Sequence, residues 1–157
     1  MPGETVIRRA EARDRDAVVG LLAGAGLPVD GVAEHLGDFY VAVRGGEIVG
    51  SCGLEVYGPN ALLRSVAVSG EERGCGTGRR LVECALADAT ERGLESVVLL
   101  TTSASGYFRR LGFREIGRGE APGGVRASKE FSHLCPSTAT VMRLCLGRQG
   151  GSAASLA

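Results

Sequence analysis

The sequence predicts one α+β domain, with a meander of hairpin strands first and a strand–loop–helix–strand unit at its centre. Three observations predict it. Apolar residues alternate with period two in some segments and recur at helical spacing in others. The turn signals Gly45-Gly46 and Gly58-Pro59-Asn60 separate strand-like runs. A chain of 157 residues, 44% hydrophobic and 23% charged, can bury one core and is too short for two full-sized domains.

The elements follow in order. Residues 5–9 read as a short strand. Over 12–25, Ala17, Val18, Leu21, Leu22 and Ala25 fall on one helical face, and Gly26 and Pro28 end the helix. Residues 29–36 can form a second, short helix. Strand 39–44 turns at Gly45-Gly46 into a longer strand, 47–57, interrupted by Gly50 and Gly53. Residues 61–68 are an apolar strand with one charge, Arg64. A glycine-rich loop, Arg73-Gly74-Cys75-Gly76-Thr77-Gly78, precedes an amphipathic helix over 79–92, in which Leu81, Ala85 and Ala89 stack. Gly93 closes that helix. The run at 96–102 is apolar throughout, as in a strand covered on both faces. A short helix over 105–111 stops at Gly112, and residues 113–116 form a strand. Residues 122–131 form a helix with Pro122 at its start, and 138–146 is a last strand. Residues 1–146 make the domain, and 147–157 form a patternless tail expected to be disordered.

Composition excludes several classes. Lys+Arg and Asp+Glu are both 18, so no general basic field would hold nucleic acid. The five cysteines, Cys52, Cys75, Cys84, Cys135 and Cys145, are odd in number and lack Cys-x-x-Cys spacing, which argues against a disulfide framework or a metal site. No apolar run approaches the ~20 residues that cross a bilayer. The N-terminus lacks a signal-peptide plan, so a cytoplasmic protein with no membrane partner is expected.

The glycine-rich loop carries the chemistry. A helix N-terminus offers unpaired N–H groups and partial positive charge, and glycines let phosphate oxygens approach them. Gly74, Gly76 and Gly78 supply that freedom, and Arg73, Arg79 and Arg80 add charge. A P-loop would need Gly-Lys-Ser/Thr, which is absent. A dinucleotide fold would place Gly-x-Gly-x-x-Gly after its first strand.

The pattern Arg-x-x-Gly-x-Gly, from Arg73 through Gly76 to Gly78, resembles the pyrophosphate loop of the GCN5-related N-acetyltransferases (GNAT). Val66-Ala67-Val68 leading into it resembles that family's fourth strand. Tyr107-Phe108-Arg109-Arg110-Leu111-Gly112-Phe113 resembles its Phe-Tyr-x-x-x-Gly-Phe element. The likeness covers about residues 5 to 146. It implies a central mixed sheet of about seven strands, splayed between the fourth and fifth and flanked by helices. It also implies acetyl-coenzyme A as acetyl donor, with no metal. The implied donor-binding residues are Val66, Ala67, Val68, Arg73, Gly74, Cys75, Gly76, Thr77, Gly78, Arg79, Thr101 and Phe108. Many such proteins pair as homodimers.

There are departures from the family pattern. The family often has tyrosine at the second aromatic position, where it protonates the leaving thiolate; Phe108 stands there and Tyr107 one place earlier, a turn of about 100° away. Thr101 stands where many relatives carry asparagine. The stretches 54–68, 99–102 and 130–137 resemble arsenic-resistance N-acetyltransferases, and 99–102 with the late Pro-containing segment also resembles the acetyltransferase domain of N-acetylglutamate synthase. Both imply a small, amino-acid-like amine as acceptor.

Amine acetylation needs a neutral amine, so a base must take a proton. Glu55 and His133 are candidate bases, and Tyr107 a candidate acid. Glu55 could equally be a solvated strand-face carboxylate and His133 a structural residue. Arg64 either clamps an acid group of the acceptor or pairs with Glu55. No nucleophile is set up for an acyl-enzyme, which favours direct transfer in a ternary complex. A coenzyme A-binding sensor without catalysis is the alternative, as is an N-acetylglutamate synthase-like enzyme.

Overall fold

The computed structural model describes residues 4–128, 131 and 138–147. Seven strands form one mixed sheet: β1 (Val6–Arg9), β2 (Phe39–Arg44), β3 (Glu47–Tyr57), β4 (Asn60–Val68), β5 (Ser96–Thr101), β6 (Arg114–Ile116) and β7 (Thr140–Cys145). Their order is β1-β2-β3-β4-β5-β7-β6. The helices are α1 (Arg15–Gly24), α2 (Val32–His35), α3 (Thr77–Glu91), α4 (Ser105–Arg110) and α5 (Gly123–Arg126). By contact density the chain divides into two compact units. One takes the described residues up to Glu55 with Leu63–Leu86; the other takes Val56–Leu62 with the described residues from Ala87 onward.

In the first unit β1, β2 and β3 pair antiparallel, with an irregularity between Ala42 and Val43. Val18 and Leu22 of α1 are fully buried, as the helical spacing predicts, and pack with Val32, Leu36, Phe39, Val41 and Ala67. The first helix opens with a 3-10 turn at Ala12–Asp14. There Arg8 grips Asp14 at 2.8 and 3.0 Å, which holds that carboxyl below its usual range.

Strand β3 runs through Gly50 and Gly53, though its ladder with β2 skips Val49 beside Gly50. Both are glycines for packing. A Cβ at Gly53 would lie 2.3 to 2.6 Å from the ring of Phe39, and one at Gly50 would lie 2.9 Å from Leu81 Cδ1. Phe39 is fully buried and cannot swing into solvent. Gly53→Ala is therefore expected to destabilise the protein by about 1–3 kcal/mol through overpacking. Urea denaturation measures this; an unchanged midpoint would mean the ring has room to move.

In the second unit β5 pairs antiparallel with β7 over its whole length, and β7 with β6. The parallel ladder of β4 with β5 joins Asn60–Leu62 to Ser96–Val98. Leu62, Val98, Ala121, Val125, Phe131 and Val141 form this core, with Tyr57, Leu100 and Ile116 against it. Val97 and Val98 are fully buried, as expected for an apolar strand covered on both faces. The helix after Pro122 is shorter than its pattern predicts: α5 ends at Arg126 instead of reaching 131. Gly123 and Gly124 are poor helix formers, and a Cβ at Gly124 would meet Tyr57 Cβ at 2.8 Å.

Among the described residues no helix is long and apolar enough to cross a membrane. Residues 148–157, nearly all of the expected tail, lie outside the described residues.

Candidate active site

The glycine-rich loop lies in the first unit. A 3-10 turn (Gly70–Glu72) leads from β4 into the loop, and α3 begins at Thr77, two residues before the sequence pattern predicts. Gly78 is thus inside the helix, and the left-handed backbone belongs to Gly74 (φ 81°) and Gly76 (φ 80°). L-residues pay about 1–2 kcal/mol for such a conformation. No atom lies within 4 Å of where a Cβ would sit at either position. Both glycines, Arg73, Cys75 and Arg79 are exposed. The first amides of α3 have no acceptor within the helix. The loop thus offers donors, a positive helix end and clear space to an anion. Of the nearby arginines, Arg79 bonds Glu83 at 3.0 Å and Arg80 donates to the Thr5 carbonyl at 3.1 Å. Among the described residues no group of three or more His, Cys, Asp or Glu side chains converges to hold a metal ion.

The loop is anchored by a residue no motif marks. Glu72 is buried, with its side chain 2% exposed. It accepts hydrogen bonds from Arg44 of β2, from Thr77 Oγ1 at 2.8 Å and from Thr5 Oγ1 at 3.2 Å. One carboxylate so ties the loop to β2, to the start of α3 and to the residue before β1. Arg44, followed by Thr77, holds this carboxyl below its ordinary value of 4.5. A lowered folded-state value means that the stabilisation is complete above the ordinary value and lost as pH falls through the lowered one. Phosphate-ligand affinity of the wild type is therefore expected to drop on acidification below about pH 4.5, while Glu72→Gln is weaker at neutral pH and flatter with pH. Parallel titration curves for the two would detach Glu72 from the loop.

The second feature of this unit surrounds Arg64 on β4. Arg64 is buried, its side chain 1% exposed. Its NH1 bonds Glu55 Oε2 at 2.7 Å and the Asp30 carbonyl at 2.6 Å; NH2 bonds the Pro28 carbonyl at 3.1 Å; Nε bonds Ser65 Oγ at 3.0 Å. The pairing with Glu55, one of the two readings of Arg64, is therefore present. Glu55 is 3% exposed, so it is not the solvated strand-face carboxylate that its position also allowed. Its other oxygen, Oε1, stands 3.9 Å from Nε2 of His35 on α2. Ser65 has φ 60°, the one described non-glycine residue in the left-handed region. Its carbonyl accepts from Ser51 Oγ at 2.8 Å, which helps hold this costly turn in β4. Beyond it Ala67 is buried while Val66 and Val68 are half-buried on the other face.

In the second unit Thr101 ends β5, and its Oγ1 accepts from the Ala104 amide at 2.9 Å, fixing the turn into α4. Phe108 is buried edge-on against Phe113, with ring centroids 5.7 Å apart. Tyr107 is half-buried and edge-on to Phe108 at 5.1 Å. Phe108 is thus held in the packing of its own unit. His133, with Cys135 and Ser137, lies outside the described residues.

Sequence reasoning missed His35, Glu72 and Arg44. None belongs to a motif. The partners of Glu72 stand 67, 28 and 5 residues away, and the only local hint was the pairing of Glu72 with Thr77 beside the glycines.

Known proteins resemble this chain in sequence and in fold. The Acetyltransferase (GNAT) domain family matches residues 35–115. An uncharacterized N-acetyltransferase of Chlorobaculum tepidum is 38% identical over 121 residues, covering 72% of this chain and 77% of that protein. The structure of N-acetylglutamate synthase from Neisseria gonorrhoeae, complexed with coenzyme A and N-acetyl-glutamate, superposes with a TM-score of 0.80 at 19% identity. It covers 93% of this chain, which spans only 36% of the synthase. The structure of Rv2747 from Mycobacterium tuberculosis, solved in complex with CoA, superposes at 0.78 with 26% identity, over 90% of this chain and 99% of that one.

Proposed function

Because the chain belongs to the GNAT acetyltransferase family and is an N-acetyltransferase, we propose that it moves an acetyl group from acetyl-coenzyme A to the amine of a small, acidic, amino-acid-like acceptor. Transfer is direct, within a ternary complex. The observation that carries the donor assignment is the loop at Gly74 and Gly76, two left-handed glycines with open space before the N-terminus of α3. A pyrophosphate fits this donor set: two charged groups with oxygens to share among backbone N–H groups, beside the exposed Arg73. The backbone of Val66 and Val68 offers the pantetheine arm strand-like hydrogen bonds. Tyr107 is the proposed source of the proton for the leaving thiolate.

The acidic acceptor rests on Arg64. Two of its donors are spent on the neutral carbonyls of Pro28 and Asp30. A carboxylate adds a full opposite charge that a carbonyl lacks, so an acid group of the acceptor replaces them where the covering 28–31 segment draws back, while Glu55 keeps its own bond. Glutamate and an arsenic-containing amino-acid analogue are the candidate acceptors, the latter placing the protein in arsenic resistance.

The test is a thiol-release assay with acetyl-coenzyme A against the amino acids and that analogue. Turnover is expected to be fastest on an acidic member. Tight coenzyme A binding with no turnover on any acceptor would overturn this reading in favour of a sensor, and preference for a protein lysine would overturn the acceptor class.

A further inference from the structure

We propose that His35, backed by Glu55, takes the proton that the acceptor ammonium must lose before transfer; this rests on the amine acetylation proposed above. The imidazole Nε2 stands 3.9 Å from Glu55 Oε1. The ring is 30% exposed and the carboxylate behind it 4%. The two groups thus form a pair with a buried acid and a reachable base. Glu55 cannot turn away, because Arg64 holds its other oxygen at 2.7 Å. A carboxylate held behind an imidazole is the arrangement in which a ring serves as base and an acid as its support.

The backbone over this pair is cut to fit. Gly31, just before α2, has φ 82°. A Cβ there would lie 3.1 Å from Arg64 NH1, 3.6 Å from Glu55 Oε2 and 3.8 Å from His35 Cδ2. Glycine lets the chain pass directly over all three side chains. The charged groups near His35 include Glu55 from β3 and, through it, Arg64 from β4; Glu34 is its neighbour on α2.

The step balances. The ammonium gives one proton to His35. Its nitrogen, now neutral, bonds the acetyl carbonyl carbon, and the carbon–sulfur bond breaks. Tyr107 gives its proton to the leaving sulfur and is restored by the second amine proton, and the third stays on the amide. His35 returns its proton to solvent. Glu55 exchanges no proton in this sequence, so it is a positioning residue and His35 is the base.

Two measurements test this. In the first, kcat/KM for L-glutamate, or for whichever amino acid turns over fastest, is followed against pH in the wild type and in His35→Gln. That variant leaves the Arg64–Glu55 pair intact. We expect an acid limb in the wild type that His35→Gln lacks, about a 100-fold loss at pH 7, and an unchanged KM for acetyl-coenzyme A. In the second, diethyl pyrocarbonate labelling of the wild type is mapped by mass spectrometry. The chain has 2 histidines, so His35 and His133 are read separately. Acceptor should protect His35 from the reagent and coenzyme A alone should not. If wild-type turnover keeps the same acid limb in His35→Gln, or acceptor leaves His35 labelling unchanged, His35 is not the base and amine acetylation stands without it. If the wild type acetylates no amine, the proposed function falls and this inference with it.

Discussion

Gly76→Glu is expected to abolish coenzyme A binding while leaving the protein folded. Gly76 is exposed, with no atom within 4 Å of a Cβ position, so the new Cβ has open space. It does meet a backbone at φ 80°, which costs an L-residue about 1–2 kcal/mol. The decisive effect is charge. A carboxylate at the start of α3 is attracted to the same amides that a pyrophosphate would use, so it competes from within the chain and repels the ligand as well. Losing two charge-assisted bonds at about 1.5–3 kcal/mol each corresponds to more than a 100-fold weaker Kd. Calorimetric titration with coenzyme A measures it. Gly76→Ala separates strain from charge and should lose about tenfold. Unchanged affinity in Gly76→Glu would remove the loop from the donor site.

Arg64→Ala is expected to have the largest effect on stability. It deletes four hydrogen bonds and leaves the buried Glu55 without the guanidinium that holds it at 2.7 Å. Breaking a buried pair from one side costs about 3–5 kcal/mol. For a domain of this size, each kcal/mol moves Tm by about 2–4 °C, so a fall of about 6–20 °C should be seen by calorimetry. Arg64→Lys should fall between, because an ammonium cannot reach the carbonyls of Pro28 and Asp30, the Glu55 carboxylate and Ser65 Oγ together. At a temperature where Arg64→Ala is folded, its KM for the acceptor should rise while coenzyme A affinity stays near wild type. A selective loss of coenzyme A affinity would contradict the acceptor role of Arg64. An unchanged Tm would contradict the network itself.

Much of this protein is readable along the chain. Strand β2 lies where the alternating pattern puts it, and the hairpin glycines 45 and 46 both have positive φ, at 59° and 81°. The loop of Arg73, Gly74 and Gly76 was legible because its chemistry is local: glycine conformation, helix start and charge lie within a few residues. The pairing of Arg64 with Glu55 was foreseeable as one of two readings, because a lone charge in an apolar strand needs a partner.

Other features are not written in any short window. Gly50 and Gly53 look like interruptions of a strand and are contact points for Leu81 and Phe39. Glu72 looks like an ordinary loop acid and is the anchor of that loop. His35 carries no signal at all until Glu55 faces it from β3.

The sequence by itself determined the element order, the mixed α+β class and the glycine-rich loop before α3. These follow from hydrophobic periodicity and backbone preference, which act over neighbouring residues. Only the tertiary structure decided that Arg64 spends its donors on Glu55, Ser65 and two carbonyls, and that His35 stands before that buried acid. Those relations depend on which side chains the strands and loops bring together once desolvated. Burial then makes each unmet charge so costly that one arrangement of partners is selected.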